Sequence, residues 1–108
     1  MNSPLMWFSS IDGGIGMSFD MGKVVMTQTI NSAIADSGQF AKEVLTSLRR
    51  YARYDWGDMC HDDKSLNDNA VKSGLDRIVA AYVTGEGKIY IITEHDRSYT
   101  TILFADEY

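Results

Sequence analysis

The chain has a single cysteine, Cys60, so no internal disulfide can form, which agrees with a reducing compartment such as the cytoplasm. It has no apolar run long enough to span a bilayer. No Lys or Arg precedes Lys23, so the N-terminus lacks the basic segment that opens a secretory signal. Internal repeats, linkers and low-complexity stretches are missing as well. These absences set the expectation of a cytoplasmic domain with no membrane partner.

What is present fits one domain. The length of 108 residues leaves little room for two, and 44% hydrophobic with 23% charged residues is an ordinary globular balance. At this size most apolar residues are needed for folding. Fifteen Asp and Glu against ten Lys and Arg give a net charge of −5. Such a surface repels nucleic acid and anionic membrane at long range. It suits a basic partner, including a protein that itself binds nucleic acid. Solubility alone also accounts for mild acidity.

Residues 1–20 mix Gly, Ser and isolated apolar residues without period, and a cleaner pattern opens at Met21. Two readings stand: an extension upstream of a domain at 21–108, or an arm that lays Leu5, Trp7 and Phe8 on it. KVVMT at 23–27 is the first strand candidate. Thr29 or Asn31 caps a short helical turn through Ile34, and Asp36 or Ser37 caps a longer helix, Asp36 forming a loose capping box with Gln39. That helix, 38–54, has Phe40, Val44, Leu48 and Tyr51 at helical spacing, with Lys42, Thr46, Arg49 and Arg53 opposite. DWGD at 55–58 breaks it. Asp62 or Asp63 caps a further helix, with Leu66, Ala70 and Val71 as its apolar stripe and Gly74 as its stop. RIVAAYVT at 77–84, a Gly-containing turn, KIYIITE at 88–94, a second turn and YTTILF at 99–104 predict a three-stranded antiparallel meander. The fold class expected is α+β: an antiparallel sheet of about four strands, the meander plus an N-terminal strand, with two or three helices on one face.

The polar residues concentrate at 55–68 and at 94–98. If the helices share one face of the sheet, loops from both segments meet at one end. Cys60, His61, Asp62 and Asp63 offer metal-ligand atoms, but zinc sites need paired Cys or His, and the aspartates miss the calcium-loop pattern, so no metal or cofactor is expected. Cys60 beside His61, and Ser98 beside His95 and Asp96, carry catalytic letters without the geometry of a dyad or triad. No catalytic residue is assigned. Gly13-Gly14-Ile15-Gly16 lacks the Lys-Ser/Thr of a phosphate loop and reads as a flexible arm. Arg49, Arg50 and Arg53 with Tyr51 and Tyr54 form a small basic patch suited to nucleic acid. Pairing of those arginines with Asp55, Asp58 or Asp62 is the commoner outcome. Trp56 is either a core plug, the favoured reading, or an interface anchor.

Two segments go beyond generic patterning: YARYDWGD at 51–58 with Asp63-Lys64 and Asn67-Asp68, and KIYIITE at 88–94 with Asp96-Arg97-Ser98, TTILF at 100–104 and Asp106-Glu107-Tyr108. Over about residues 23–108 the chain resembles a family of small plasmid-related proteins carried on plasmids, phages and integrative elements of Gram-positive bacteria. The resemblance favours the extension reading of residues 1–20, while His95 and Tyr99 depart from the family pattern. It implies an accessory protein of a mobile element, a group that includes anti-defence inhibitors, and acidic proteins of this size look like anti-CRISPRs, which occupy the basic surface of a nuclease.

The expectation is thus a non-enzymatic inhibitor or adaptor that binds a host or defence protein, a CRISPR effector nuclease in the sharpest form. Asp55, Asp58, Asp62, Asp63, Glu94 and Asp96 engage basic groups, with Arg97 beside them and Trp56 as anchor. The alternative is a nucleic-acid-binding accessory factor of plasmid or phage maintenance using Arg49, Arg50 and Arg53. A third reading makes Asp58, Glu94 and Arg97 a buried ion network that fixes the fold.

Overall fold

Thr27 ends a strand and caps the first helix. The computed structural model describes the backbone of Leu5–Trp7 and residues 19–108. The expectations for Phe8, for the side chains of Leu5 and Trp7, and for Gly13-Gly14-Ile15-Gly16 lie outside the described residues. Strand β1 is Leu5–Trp7 and β2 is Lys23–Thr27. At the end of β2 the Thr27 hydroxyl accepts the Ile30 N–H at 3.3 Å and caps α1, Gln28–Asp36. The same hydroxyl donates to Glu107 Oε1 at 2.9 Å, so the cap is tied to the C-terminal 3-10 turn Ala105–Glu107. The cap is therefore neither Thr29 nor Asn31: the extended backbone of a strand's last residue already has the conformation an N-cap needs.

Ser37 separates α1 from α2, Gly38–Ala52, and its Oγ accepts the Phe40 N–H at 3.1 Å. Asp36 instead closes α1. Helix α2 buries Phe40, Val44, Leu48 and Tyr51 as its periodicity predicts. Each such side chain contributes about 1.5–3 kcal/mol through removal from water. Helix α3, His61–Ser73, begins after Cys60, which makes no side-chain cap bond, so Asp62 and Asp63 lie in the first turn instead of capping it. There their charge complements the positive end of the helix dipole. Gly74 stops α3 in the left-handed region, φ 70°, as expected.

Strands β3, Ile78–Thr84, β4, Gly87–Thr93, and β5, Tyr99–Phe104, form the expected antiparallel meander, with Ile78 opposite Thr93 and Ile91 opposite Ile102. β2 joins the sheet beside β5 and runs parallel to it, Val24 opposite Thr100. Such pairing requires a long crossover, which everything from α1 to β4 supplies. β1 adds antiparallel to β2, and the order is β1-β2-β5-β4-β3. The three helices pack on one face of this α+β sheet. There they meet Val24 and Met26 of β2, Ile78 and Ala80 of β3, Ile89 and Ile91 of β4, and Ile102 of β5. By strand alternation Val25, Ile92, Thr101 and Leu103 face the other way.

A line of buried hydroxyls crosses the core. Thr100 Oγ1 donates to the Met21 carbonyl at 2.7 Å, so Thr93 Oγ1, 2.6 Å away, donates to Thr100. Tyr51 Oη then donates to Thr93 at 2.7 Å, because each hydroxyl has one hydrogen to give. The line joins α2, β4, β5 and the segment before β2. Phe19 lies 5.5 Å from Tyr51, 5.9 Å from Tyr54 and 6.1 Å from Trp56, ring centre to ring centre, which places it in the aromatic cluster at the end of α2.

Candidate functional site

β3 is an edge strand, and an open edge invites pairing with other chains. Two short segments cover it. The Asn67 side chain donates to the Val79 carbonyl at 2.8 Å and accepts the Val79 N–H at 3.2 Å, standing in for a neighbouring strand. Two residues on, Ala81 donates to the Trp56 carbonyl at 3.3 Å and accepts the Asp58 N–H at 2.7 Å. Gly57 sits between them at φ 73°, where a Cβ would lie 2.1 Å from the Ala81 carbonyl oxygen, so only glycine lets the backbones approach.

That attachment explains the DWGD segment. Trp56 is 2% exposed, inside the core, with its Nε1 donating to Asp68 at 2.9 Å. It is a core plug and is not available as a partner anchor, because the indole packs among Phe19, Tyr51 and the rest of the core. Asp55 accepts two bonds from the Arg50 guanidinium, at 2.7 and 3.2 Å, and a third from the Gly57 N–H at 3.1 Å. The Arg50 bond holds the Asp55 carboxyl below the usual range, and Asp55 in turn raises Arg50. Arg50 also lies 5.1 Å from the Tyr82 ring centre. One member of the basic patch is thus committed internally. Asp58 pairs with Lys88 at 3.1 Å, and Asp62 and Asp63 are exposed on the first turn of α3.

The second segment has a different anatomy. Arg97 sits at φ 62° and donates to the carbonyls of Ala70 and Asp76 at 2.8 Å each and of Glu94 at 3.1 Å. Its contacts are backbone oxygens, so Asp58, Glu94 and Arg97 form no ion network among the described residues; Arg97 instead clasps the β4–β5 turn to the end of α3. Asp96 is exposed, accepts the Ser98 N–H at 3.0 Å, and is held below the usual carboxyl range by its Ser98 hydrogen bonds. Glu94 is half-buried. The two acidic segments do not meet at one end of the sheet. Asp62 and Asp63 open α3, and the clasp holds Ala70, seven or eight residues later, about 11 Å along the helix.

The sheet face away from the helices carries a groove of about 290 Å³ lined by Arg77, Ile92, Glu94, Tyr99, Thr101, Leu103, Glu107 and Tyr108. Arg77 lies 5.5 Å from the Tyr108 ring centre and donates to its hydroxyl, and Tyr90 meets the same ring edge-on at 5.5 Å. Of the partner-binding residues expected from the sequence, only Glu94 lines it. Arg77, Glu107 and Tyr108 gave no catalytic or ligand pattern; only folding of the tail after β5 onto the sheet brings them together.

Among the described residues no group of three or more His, Cys, Asp or Glu is placed to hold a metal ion, and no helix is long and apolar enough to cross a membrane. No protein-family model, curated protein or solved structure matches the chain.

Proposed function

We propose that this chain is a non-enzymatic inhibitor or adaptor that binds the basic surface of a defence protein, with the nucleic-acid-binding surface of a CRISPR nuclease as its specific target. One observation carries the reading. The backbone at 56–58 is bonded to β3 on both sides of Gly57, and just after it Asp62 and Asp63 are exposed, while Asp58, also exposed, would have to exchange Lys88 for a partner's cation. Carboxylates on a fixed backbone meet Arg or Lys on a partner with little ordering cost. The net charge of −5 adds long-range attraction to such a partner. The resemblance to small plasmid-related proteins supplies the context of a mobile-element accessory protein acting in the cytoplasm. Arg50, committed to Asp55, weakens the competing reading as a nucleic-acid binder.

The test is binding to a purified CRISPR nuclease across a salt series. Binding at low ionic strength should fall steeply as salt shortens the screening length from about 10 Å at 0.1 M to about 3 Å at 1 M. Charge reversal at Asp62 and Asp63 together should abolish it. No binding at low salt sinks the nuclease reading.

A further inference from the structure

We propose that a second groove, between α3 and the β3 edge, receives a bulky apolar side chain of the partner on Leu66, Met59 and Val79, while Lys or Arg residues flanking that side chain reach Asp62 and Asp63. This deepens the reading above and rests on it: the partner is the same basic surface, and the groove gives it an apolar anchor beside the charges.

Leu66 departs from the apolar stripe to which its spacing assigns it. Helix α3 turns Asn67 and Ala70 inward, 5% and 1% exposed, and leaves Leu66 65% exposed. Asn67 sets this rotation, because its side chain must face β3 to bond the Val79 N–H and carbonyl. Leu66, one residue back, then points about 100° away around the helix. A leucine standing alone on a surface needs no explanation. This one borders a groove of about 300 Å³, lined also by Met59, Asp63, Asn67, Arg77 and Val79. Met59 and Val79 are only partly buried, so with Leu66 they keep apolar surface that a side chain entering the groove removes from water.

Charge then selects the partner. Asp62 and Asp63 precede Leu66 by four and three residues, so both lie on its side of the helix. Both are exposed, and neither has a side-chain partner among the described residues. The cation on the wall, Arg77, is engaged elsewhere: its guanidinium lies over the Tyr108 ring and donates to the Tyr108 hydroxyl. The free charge beside the groove is therefore negative. An apolar contact with complementary charges at its rim is the anatomy of a specific interface. The backbone selects a side chain over an added strand, since the outward N–H and carbonyl of Val79 are already taken by Asn67. A second copy of the chain is a poorer occupant, because two molecules of net charge −5 repel each other.

The experiment is an NMR titration of the isotope-labelled full chain, at low salt, with two end-blocked peptides: Arg-Lys-Trp-Lys-Arg and the same peptide with Ala for Trp. The tryptophan peptide should shift the amides of Asp63, Leu66 and Val79 and bind about tenfold more tightly than the alanine peptide. Leu66→Ala, at an exposed position that the fold does not need, should weaken the tryptophan peptide about fivefold and leave the alanine peptide unchanged. Asp62→Asn with Asp63→Asn should weaken both peptides alike and flatten their salt dependence. Equal Kd values for the two peptides, with shifts confined to Asp62 and Asp63, overturn the groove and leave the basic-partner reading standing. So does an unchanged Kd of the tryptophan peptide for Leu66→Ala. Absence of shifts with either peptide overturns the groove, and the nuclease titration then decides separately whether the broader reading survives.

Discussion

The guanidinium of Arg97 donates to the carbonyl of Ala70 at 2.8 Å, so the turn between β4 and β5 is fastened to the last turn of α3. The Ala70 oxygen also accepts the Gly74 N–H at 2.9 Å, so the Arg97 bond is an additional one at the helix end. Arg97→Ala should cost about 2–3 kcal/mol, through loss of charge-assisted bonds to carbonyls on two separate segments. Arg97→Gly loses the same bonds but relieves the left-handed backbone, and should be about 1 kcal/mol more stable than the alanine variant. Urea unfolding with an unchanged slope checks both. A variant as stable as wild type would show that the clasp is not structural.

Asn67 serves β3 as a neighbouring strand would. Asn67→Ala leaves the Val79 N–H and carbonyl without their partner and should destabilise by about 1–3 kcal/mol. It also uncovers part of an edge strand, so self-association should rise with concentration, read by light scattering.

Gly57→Ala places a methyl 2.1 Å from the Ala81 carbonyl oxygen at a backbone φ of 73°. Backbone must move to admit it, and the loss should be about 3 kcal/mol or more. Release of the loop from β3 should also expose Trp56, seen as a red shift of tryptophan fluorescence.

Acid and base should act on different parts of the molecule. The Arg50 guanidinium depresses the Asp55 carboxyl, so this pair adds stability above the unfolded value of about 3.9 and loses it as pH falls through the folded value. Both side chains are about half exposed, 46% and 50%, so solvent screening keeps the pair under about 1 kcal/mol. Asp55→Asn should therefore lower stability slightly at neutral pH and lose that difference in acid. Burial raises the Tyr51 and Tyr82 phenols, which add stability below the unfolded value of about 10 and lose it as pH rises. Ultraviolet titration should find these two of the six tyrosines resisting ionisation until the chain unfolds.

Much of the fold was legible from period alone. The α2 stripe and the β-rich runs at 78–104 state their own burial, because side chains on one face recur at fixed spacing. The candidate site was less legible. Asp55, Asp58, Asp62 and Asp63 were found by composition, and pairing of the nearby arginines with Asp55 was expected, but the pairing of Asp58 with Lys88 joins residues far apart in sequence and needed the fold. Trp56 was open between core and interface, since its burial depends on Phe19, Tyr51 and Asp68, which lie far apart in sequence.

Short-range periodicity and counting were enough to assign most helices and strands, the antiparallel meander and the excess of negative charge. The parallel seat of β2 on β5, the pinning of 56–58 and Asn67 to the β3 edge, the Arg97 clasp and the groove beside Tyr108 came from the folded chain alone. Each joins groups distant along the chain, whose meeting depends on how the whole sheet and its helices close around one core.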